Sequence, residues 1–269
     1  MSAREPLPVG PFISAYLRES PLFMAIVRGV ECQMLRSAGP LEGPVLDLGC
    51  GDGLFAAVAC EEAPAVGLDP SPAALREAQA RYAHETLSCG SATELPFRAG
   101  SFQTVLCNSV IEHIPAQDAA LRECHRVLRP GGRLLLTTPS HHFGPMLLGS
   151  RLLRGVGLRR AADAYAAWFN AHSLHFHTLS REAWLTKLAA FGFTVRDSHY
   201  YLDVRAHSVF DAMHYLSWWR WLHRRMTGRW VGGWAPLHPL WTWCFAALTK
   251  NRWPREDGPY LYLDAERNA

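Results

Sequence analysis

An α/β fold, a mostly parallel sheet with helices on its faces, follows from three observations. The first is Val45-Leu46-Asp47-Leu48, a short apolar run broken by one acid, followed by Gly49, Gly51 and Gly53 and then by an apolar, helix-like stretch, 54–60. The second is Ala65-Val66-Gly67-Leu68-Asp69, another short apolar run, which ends in an acid ahead of Pro70-Ser71-Pro72 and a helical pattern to about residue 84. The third is the continued alternation of strand-like and helix-like segments through residues 101–202, the pattern of βα units rather than of a bundle or a sandwich.

The glycine turn carries the chemistry. A strand, a glycine-rich turn and a helix N-terminus let a ligand approach the backbone closely. A dinucleotide-binding turn requires G-x-G-x-x-G or a terminal Ala. Here Gly49 and Gly51 are followed by Leu54, which weakens a nicotinamide-cofactor reading. Asp47 inside the strand is poor core filler, because an unpaired buried carboxylate is costly.

The run Asp47-Leu48-Gly49-Cys50-Gly51-Asp52-Gly53 resembles the D-x-G-x-G-x-G motif of the class I S-adenosylmethionine-dependent methyltransferases. The resemblance implies a Rossmann-like sheet of seven strands, mostly parallel with the last one reversed, and S-adenosylmethionine as cofactor. It sets the methionine part of the cofactor against Gly49, Cys50, Gly51 and Gly53, with Asp47 organising that end. A glycine turn without a ligand is the plain alternative.

Composition narrows the class. Seven Cys without C-x-x-C spacing and an N-terminus with no apolar leader point to reduced thiols in the cytoplasm. A formal charge of +3 is too small to argue for nucleic acid. Ten Trp are unusual, and eight of them fall within residues 203–257.

Residues 1–40 read as an N-terminal helical cap, with Ser20-Pro21 starting a helix and Leu22, Phe23, Ile26, Val27, Val30 and Leu35 forming its apolar stripe. Residues 41–202 form the core. Asp69 lies about 20 residues beyond the glycine loop, where an acid takes the hydroxyls of an adenosine ribose; capping a strand end is its other reading. Gly90-Ser91-Ala92-Thr93-Glu94-Leu95-Pro96-Phe97 resembles the family's adenine segment, with Ser91 in place of the usual Asp. That places Ser91 and Ala92 beside the adenine, with a weaker acceptor than a carboxylate.

The stretch 101–108 is the fourth strand, and Asn108 stands at its C-terminal end, where open α/β sheets bind ligands. Ile111-Glu112-His113-Ile114 resembles the family's L-E-H-I. There His113 is a candidate base, although a hydrogen bond to the loop is the favoured reading. A helix at 119–128 ends at Arg129-Pro130-Gly131-Gly132, the fifth strand covers 133–138, and His141 and His142 are further candidate bases.

Residues 141–177 form an insertion that ends in His172, His175 and His177. Metal ligation there is the lesser reading, since the stretch also resembles the family's lead into the next helix, so no metal is expected. A helix at 181–191 and a sixth strand at 193–202 follow. Residues 203–257 form a Trp/Arg-rich insertion, a lid or a membrane-docking element, and 258–269 holds the last strand. Aromatics beside arginines suit a water–lipid interface.

The expectation is therefore methyl transfer to a small, lipophilic or membrane-associated acceptor, without nucleic acid, by a cytoplasmic protein with peripheral membrane contact. A soluble O-methyltransferase of a sugar or polyketide-like metabolite, with the Trp-rich stretch as lid, is the alternative. A non-catalytic cofactor-binding protein is the third reading.

Overall fold

In the computed structural model, which describes residues 7–217, 222–223, 225–226, 237–250 and 253–269, one seven-stranded sheet runs in the order β3-β2-β1-β4-β5-β7-β6. The strands are β1 Val45–Leu48, β2 Val66–Asp69, β3 Thr86–Cys89, β4 Phe102–Asn108, β5 Leu128–Pro139, β6 Phe193–Tyr201 and β7 Tyr260–Arg267. β1 to β5 pair in parallel, and β7 is antiparallel to both β5 and β6. The predicted sheet with its reversed last strand is the sheet observed. One boundary differs: β5 begins at Leu128 and runs through Pro130-Gly131-Gly132, with a register irregularity between Phe102 and Thr104 of β4. Gly131, at φ +75°, lets the strand continue where a turn was expected.

Alternation along the strands assigns the helices to faces. Leu106, Leu135 and Tyr262 join one core, while Val105, Cys107, Leu134, Leu136, Leu261 and Leu263 join the other, as a period of two requires. The first core is covered by α1 Gly10–Glu19 and α2 Leu22–Ser37, and the second by α5 Gln117–Val127 and α9 Arg181–Ala190. The glycine loop leads into α3 Leu54–Ala59, and α4 Pro72–Arg81 follows β2. Ser71 caps α4, accepting from the Ala74 amide at 3.3 Å, with Pro72 in the first turn. Ser20 does not cap α2 as expected. Its hydroxyl donates to the Tyr16 carbonyl at 2.7 Å and closes α1 instead.

The first insertion folds as α6 Phe143–Met146, α7 Leu148–Gly155 and α8 Arg159–His172. Of the Trp-rich stretch, α10 Val204–Leu216 packs on α2 and α7, and α11 His238–Thr249 packs on α1. α10 buries Ala206 and Phe210, and α11 buries Phe245, in the same core as α1 and α2. These described parts belong to the helical layer and are not a detached module. Trp218, Trp219, Trp221, Trp230, Trp234, Arg220, Arg224 and Arg229 lie outside the described residues. Among the described residues, no helix is long and apolar enough to cross a membrane.

Candidate active site

Three adjoining hollows open along the C-terminal ends of β1, β2 and β4, the edge at which such sheets take ligands. The largest, about 630 Å³, is lined by Gly49, Asp69, Ser91, Ala92, Val110 and His113 among others. A second, about 260 Å³, lies between the glycine loop, Asn108 and Ser109 on one side and Tyr16, Met24 and Arg28 on the other. The third, about 290 Å³, is aromatic, with Phe23, Phe143, Phe169, Phe210 and Tyr260 in its wall. Ser109 borders all three.

The glycines have separate jobs. A Cβ on Gly51 (φ +55°) would meet nothing within 4 Å, so this position faces open space in the hollow. A Cβ on Gly49 would lie 2.4 Å from Val110, and one on Gly53 would lie 3.1 Å from Ala78; these two admit neighbouring elements. Asp69 ties the loop to β2. Its carboxylate accepts from the Gly51 amide at 3.0 Å and from the Ser71 amide at 2.8 Å, and it also borders the largest hollow. Strand-end cap and ligand-facing acid are thus one residue, since a carboxylate has further acceptor sites.

Asp47 is buried beneath the loop, with its Oδ2 2.9 Å from Nε2 of the buried His84. It lines none of the three hollows, and its carboxylate is engaged by His84 instead of facing a ligand. Ser91, with its hydroxyl 2.7 Å from that of Thr93, and Ala92 line the largest hollow. Cys50 lines the second, and burial pushes its thiol above the usual range.

Asn108 is at the site, but both ends of its amide are engaged. Its Nδ2 donates to Glu31 Oε2 at 2.8 Å, and its Oδ1 accepts from the Thr137 hydroxyl at 2.8 Å. It supports Glu31, a buried carboxylate in α2 that sequence reasoning missed. Glu31 also accepts from Tyr201 at 2.6 Å, from Ser109 at 3.1 Å and from Arg28 at 2.6 Å. An acid between Val30 and Cys32, in an otherwise apolar helical stripe, was the available signal. Ser109 itself has φ +50°, a costly conformation for a residue with a Cβ and one that concentrates at functional sites.

Of the three candidate bases, only His113 reaches a hollow, and it borders both the largest and the aromatic one. Its Nδ1 lies 3.1 Å from the Leu174 carbonyl, the loop hydrogen bond favoured from the sequence. Burial holds its pKa below the usual histidine value despite that bond. His141 and His142 pack ring to ring at 3.8 Å, tilted, and meet Tyr200 edge-on, and they border none of the three hollows. As bases they are set aside on geometry.

Glu112, given no role from the sequence, and His175, one of the histidines for which metal ligation was the lesser reading, join His113 at the wall of the aromatic hollow. Burial pushes the Glu112 carboxyl up to about 8. His175 is held down to about 4 by burial and then by nearby His113. The sequence signal for Glu112 was its place in the Ile111-to-Ile114 motif. For His175 it was the histidine-rich end of the insertion.

A ligand-sized cleft over a glycine loop, an acid at the next strand end and a separate apolar chamber define a nucleoside-binding α/β protein. Comparison with known proteins agrees. The family described as "Methyltransferase domain" matches residues 46–136. A probable S-adenosylmethionine-dependent methyltransferase of Mycolicibacterium smegmatis is 40% identical over 97 residues, covering 36% of this chain and 38% of that one. A ubiquinone/menaquinone biosynthesis C-methyltransferase of Rubrivivax gelatinosus is 37% identical over 119 residues, 42% of this chain and 47% of that one. The chain spans less than half the length of these two relatives. The match is longer for a ubiquinone biosynthesis O-methyltransferase of Rhizobium etli, 30% identical over 202 residues, 71% of this chain and 77% of that one.

Among solved structures, the [4+2]-cyclase SpnF aligns with TM-score 0.55 at 18% identity, over 91% of this chain and 82% of that one. A methyltransferase from Thermotoga maritima aligns with TM-score 0.53 at 16% identity, over 92% of each chain. These two likenesses concern the fold alone. The chain belongs to the class I S-adenosylmethionine-dependent methyltransferase family, whose cofactor is S-adenosylmethionine. The residues present suit that cofactor, since Gly51 leaves an open cradle and Asp69 stands at the strand end beside it.

Proposed function

We propose that this protein transfers a methyl group from S-adenosylmethionine to a small, lipophilic acceptor held in the aromatic chamber. The observation that carries the reading is that chamber's junction with the glycine-loop cleft at Ser109 and His113. Asp69, Ser91 and Ala92 would hold the adenosine, and the glycine loop the methionine chain. Arg28, the cation lining the second hollow, would meet the methionine carboxylate. The bound cofactor supplies an activated methyl group, so the protein's work is alignment and exclusion of water.

The chamber's rings suit an apolar or aromatic acceptor, and half of its lining is polar (Arg28, Ser109, Glu112, His113, His172, Ser173, His175 and His214), with Ser109 and His113 shared with the cofactor cleft. A sugar would set several hydroxyls against the four phenyl rings of that wall, where unmatched polar groups are costly. The names of the quinone-pathway relatives agree with a lipophilic acceptor and include both O- and C-methylation.

We also propose peripheral membrane contact as the acceptor's route. On α7 and the turn after it, Leu152, Val156 and Leu158 are exposed beside the exposed Arg151, Arg154, Arg159 and Arg160. The deciding experiment incubates the protein with methyl-labelled S-adenosylmethionine and a lipid extract, then follows label into the organic phase. Label in a discrete lipophilic product supports the reading. Label appearing only in water-soluble products, with cofactor consumed, would overturn the lipophilic assignment.

A further inference from the structure

We infer that Glu112, His113 and His175 form a binding site for a divalent transition-metal ion at the wall of the aromatic chamber. The three residues come from two distant parts of the chain. Glu112 and His113 sit in the 3-10 turn Ile111–His113 after β4, and His175 follows α8. The backbone fixes them together. The Phe176 amide donates to the Glu112 carbonyl at 2.9 Å, and the chain reverses at Leu174, which has φ +55°. One ligand atom from each residue can be chosen so that all three lie within 4.8 Å of one another.

Two features separate this cluster from an ordinary hydrogen-bonded group. First, His113 Nε2 stands 3.9 Å from Glu112 Oε1, too far for a hydrogen bond. Two ligands bound tetrahedrally at about 2.0–2.2 Å to one ion stand roughly 3.3–3.6 Å apart, so this pair closes by a few tenths of an ångström to take one. The widest pair, within 4.8 Å, comes in by no more than about 1.5 Å through side-chain rotation. Second, Glu112 is 1% exposed, yet its Oε2 has no hydrogen-bond partner. A buried polar atom left unmatched is costly, and an ion held by both carboxylate oxygens removes that cost.

The surroundings orient the ligands. His113 Nδ1 lies 3.1 Å from the Leu174 carbonyl, and His175 Nδ1 lies 3.2 Å from Asn170 Oδ1. Both partners are acceptors, so each Nδ1 carries the proton and each Nε2 keeps its lone pair for a metal. Two imidazoles and one carboxylate favour zinc, manganese, iron(II) or cobalt over calcium or magnesium. Three protein ligands leave a position open for an exogenous oxygen, and here the chamber supplies the space.

The site's use rests on the proposed methyl transfer. An acceptor hydroxyl bound to the ion loses its proton to solvent at lower pH than in water. Its oxygen then donates the electron pair that forms the new carbon–oxygen bond. The carbon–sulfur bond breaks with its pair to sulfur, which becomes neutral.

The test reads metal and not activity. The untagged full chain, stripped with a chelator and dialysed, is titrated with cobalt(II) by absorption and with zinc(II) by calorimetry. One equivalent should bind with a micromolar or tighter constant, giving ligand-field bands without a sulfur-to-cobalt charge-transfer band. Glu112→Gln and His175→Gln should each weaken uptake at least tenfold while S-adenosylmethionine binding, measured on the same samples, persists. Asn170→Ala should weaken it by roughly tenfold through the lost orienting bond. No stoichiometric uptake, a thiolate band, or equal uptake in the ligand variants would overturn the site. Normal metal uptake with no cofactor binding in the unaltered chain would instead overturn the methyltransferase reading and leave this site standing.

Discussion

The glycine-loop cleft and the aromatic chamber share a border at Ser109 but are built in opposite ways. The cleft is made by consecutive residues at strand ends, and much of its shape is backbone: a turn through Gly49, Gly51 and Gly53, tied down by Asp69. The chamber is made by side chains from α2, α6, α8, α10 and β7, spread from Phe23 to Tyr260. A backbone site constrains the sequence locally and leaves a motif. A side-chain site requires only that distant apolar residues converge, and many sequences satisfy that. The same cofactor cleft can therefore serve chambers of different shape.

Glu31 joins the two regions, and changing it should have the largest effect. Glu31→Leu leaves the partly buried Arg28 without its partner and frees Asn108, Ser109 and Tyr201. Breaking a buried pair in this way costs about 3–5 kcal/mol, which chemical denaturation would register. Replacing Arg28 by Met in the same chain should recover much of the loss, because an apolar pair of similar volume is tolerated. No recovery would mean that Glu31 acts mainly through Tyr201 and Asn108.

Gly51→Val should separate the regions cleanly. The new side chain enters the cleft, so S-adenosylmethionine affinity should fall roughly a hundredfold or more, about 2.7 kcal/mol, with the sheet retained. Calorimetry for binding and circular dichroism for fold check both halves. Normal affinity in this variant would remove the cofactor from the glycine loop.

What could be read from the sequence follows the same division. β1, the glycine loop and β2 with Asp69 were legible because each is a short run with its own punctuation, whereas the reversal of β7 was implied by the family resemblance. Thr86–Cys89 was not read as a strand, since an edge strand this short and polar, with two of its four residues exposed, has no apolar run to announce it. Asp47 was read for its position in a motif, and only the fold shows that His84 is its partner. His141 and His142 looked equivalent to His113 because all three follow strand ends. The turn after β4 brings His113 into the chamber wall, whereas the turn after β5 sets the other two edge-on to Tyr200. Glu112, His175 and the phenyl rings converge only in three dimensions.

The helical layer behind the chamber should give the protein an acid-sensitive side. His207 is fully buried, with Nε2 3.0 Å from the Phe143 carbonyl and Nδ1 without a partner. Burial holds its folded pKa down to about 3, whereas an unfolded histidine titrates near 6.5. Below about pH 6.5 the unfolded chain takes up the proton and the folded chain does not. Stability is therefore complete above that pH and falls as acid is added, by about 2 kcal/mol from this residue at pH 5. His175 and His214, also held low by burial, add in the same direction. Thermal melts from pH 8 to pH 5 should show the loss, and His207→Gln should flatten the profile. An unchanged slope would place the acid sensitivity elsewhere.

The smallest effect on folding should come from the outer face of α7, where the proposed route of the acceptor can be isolated. Leu152 and Val156 are 63% and 72% exposed, so Leu152→Ser with Val156→Ser removes little buried surface. Substitutions at such positions usually change stability by no more than about 0.5 kcal/mol. Cofactor affinity should also be unchanged, because neither residue borders the cleft. Apolar side chains inserted at headgroup depth do contribute to membrane affinity, together with nearby arginines and anionic lipid. Flotation with anionic vesicles should therefore show less of the double variant bound than of the unaltered chain, and high salt should release both. If the two chains float equally while stability and cofactor binding match, α7 is not the contact. A lipophilic acceptor would then have to reach the chamber by another face.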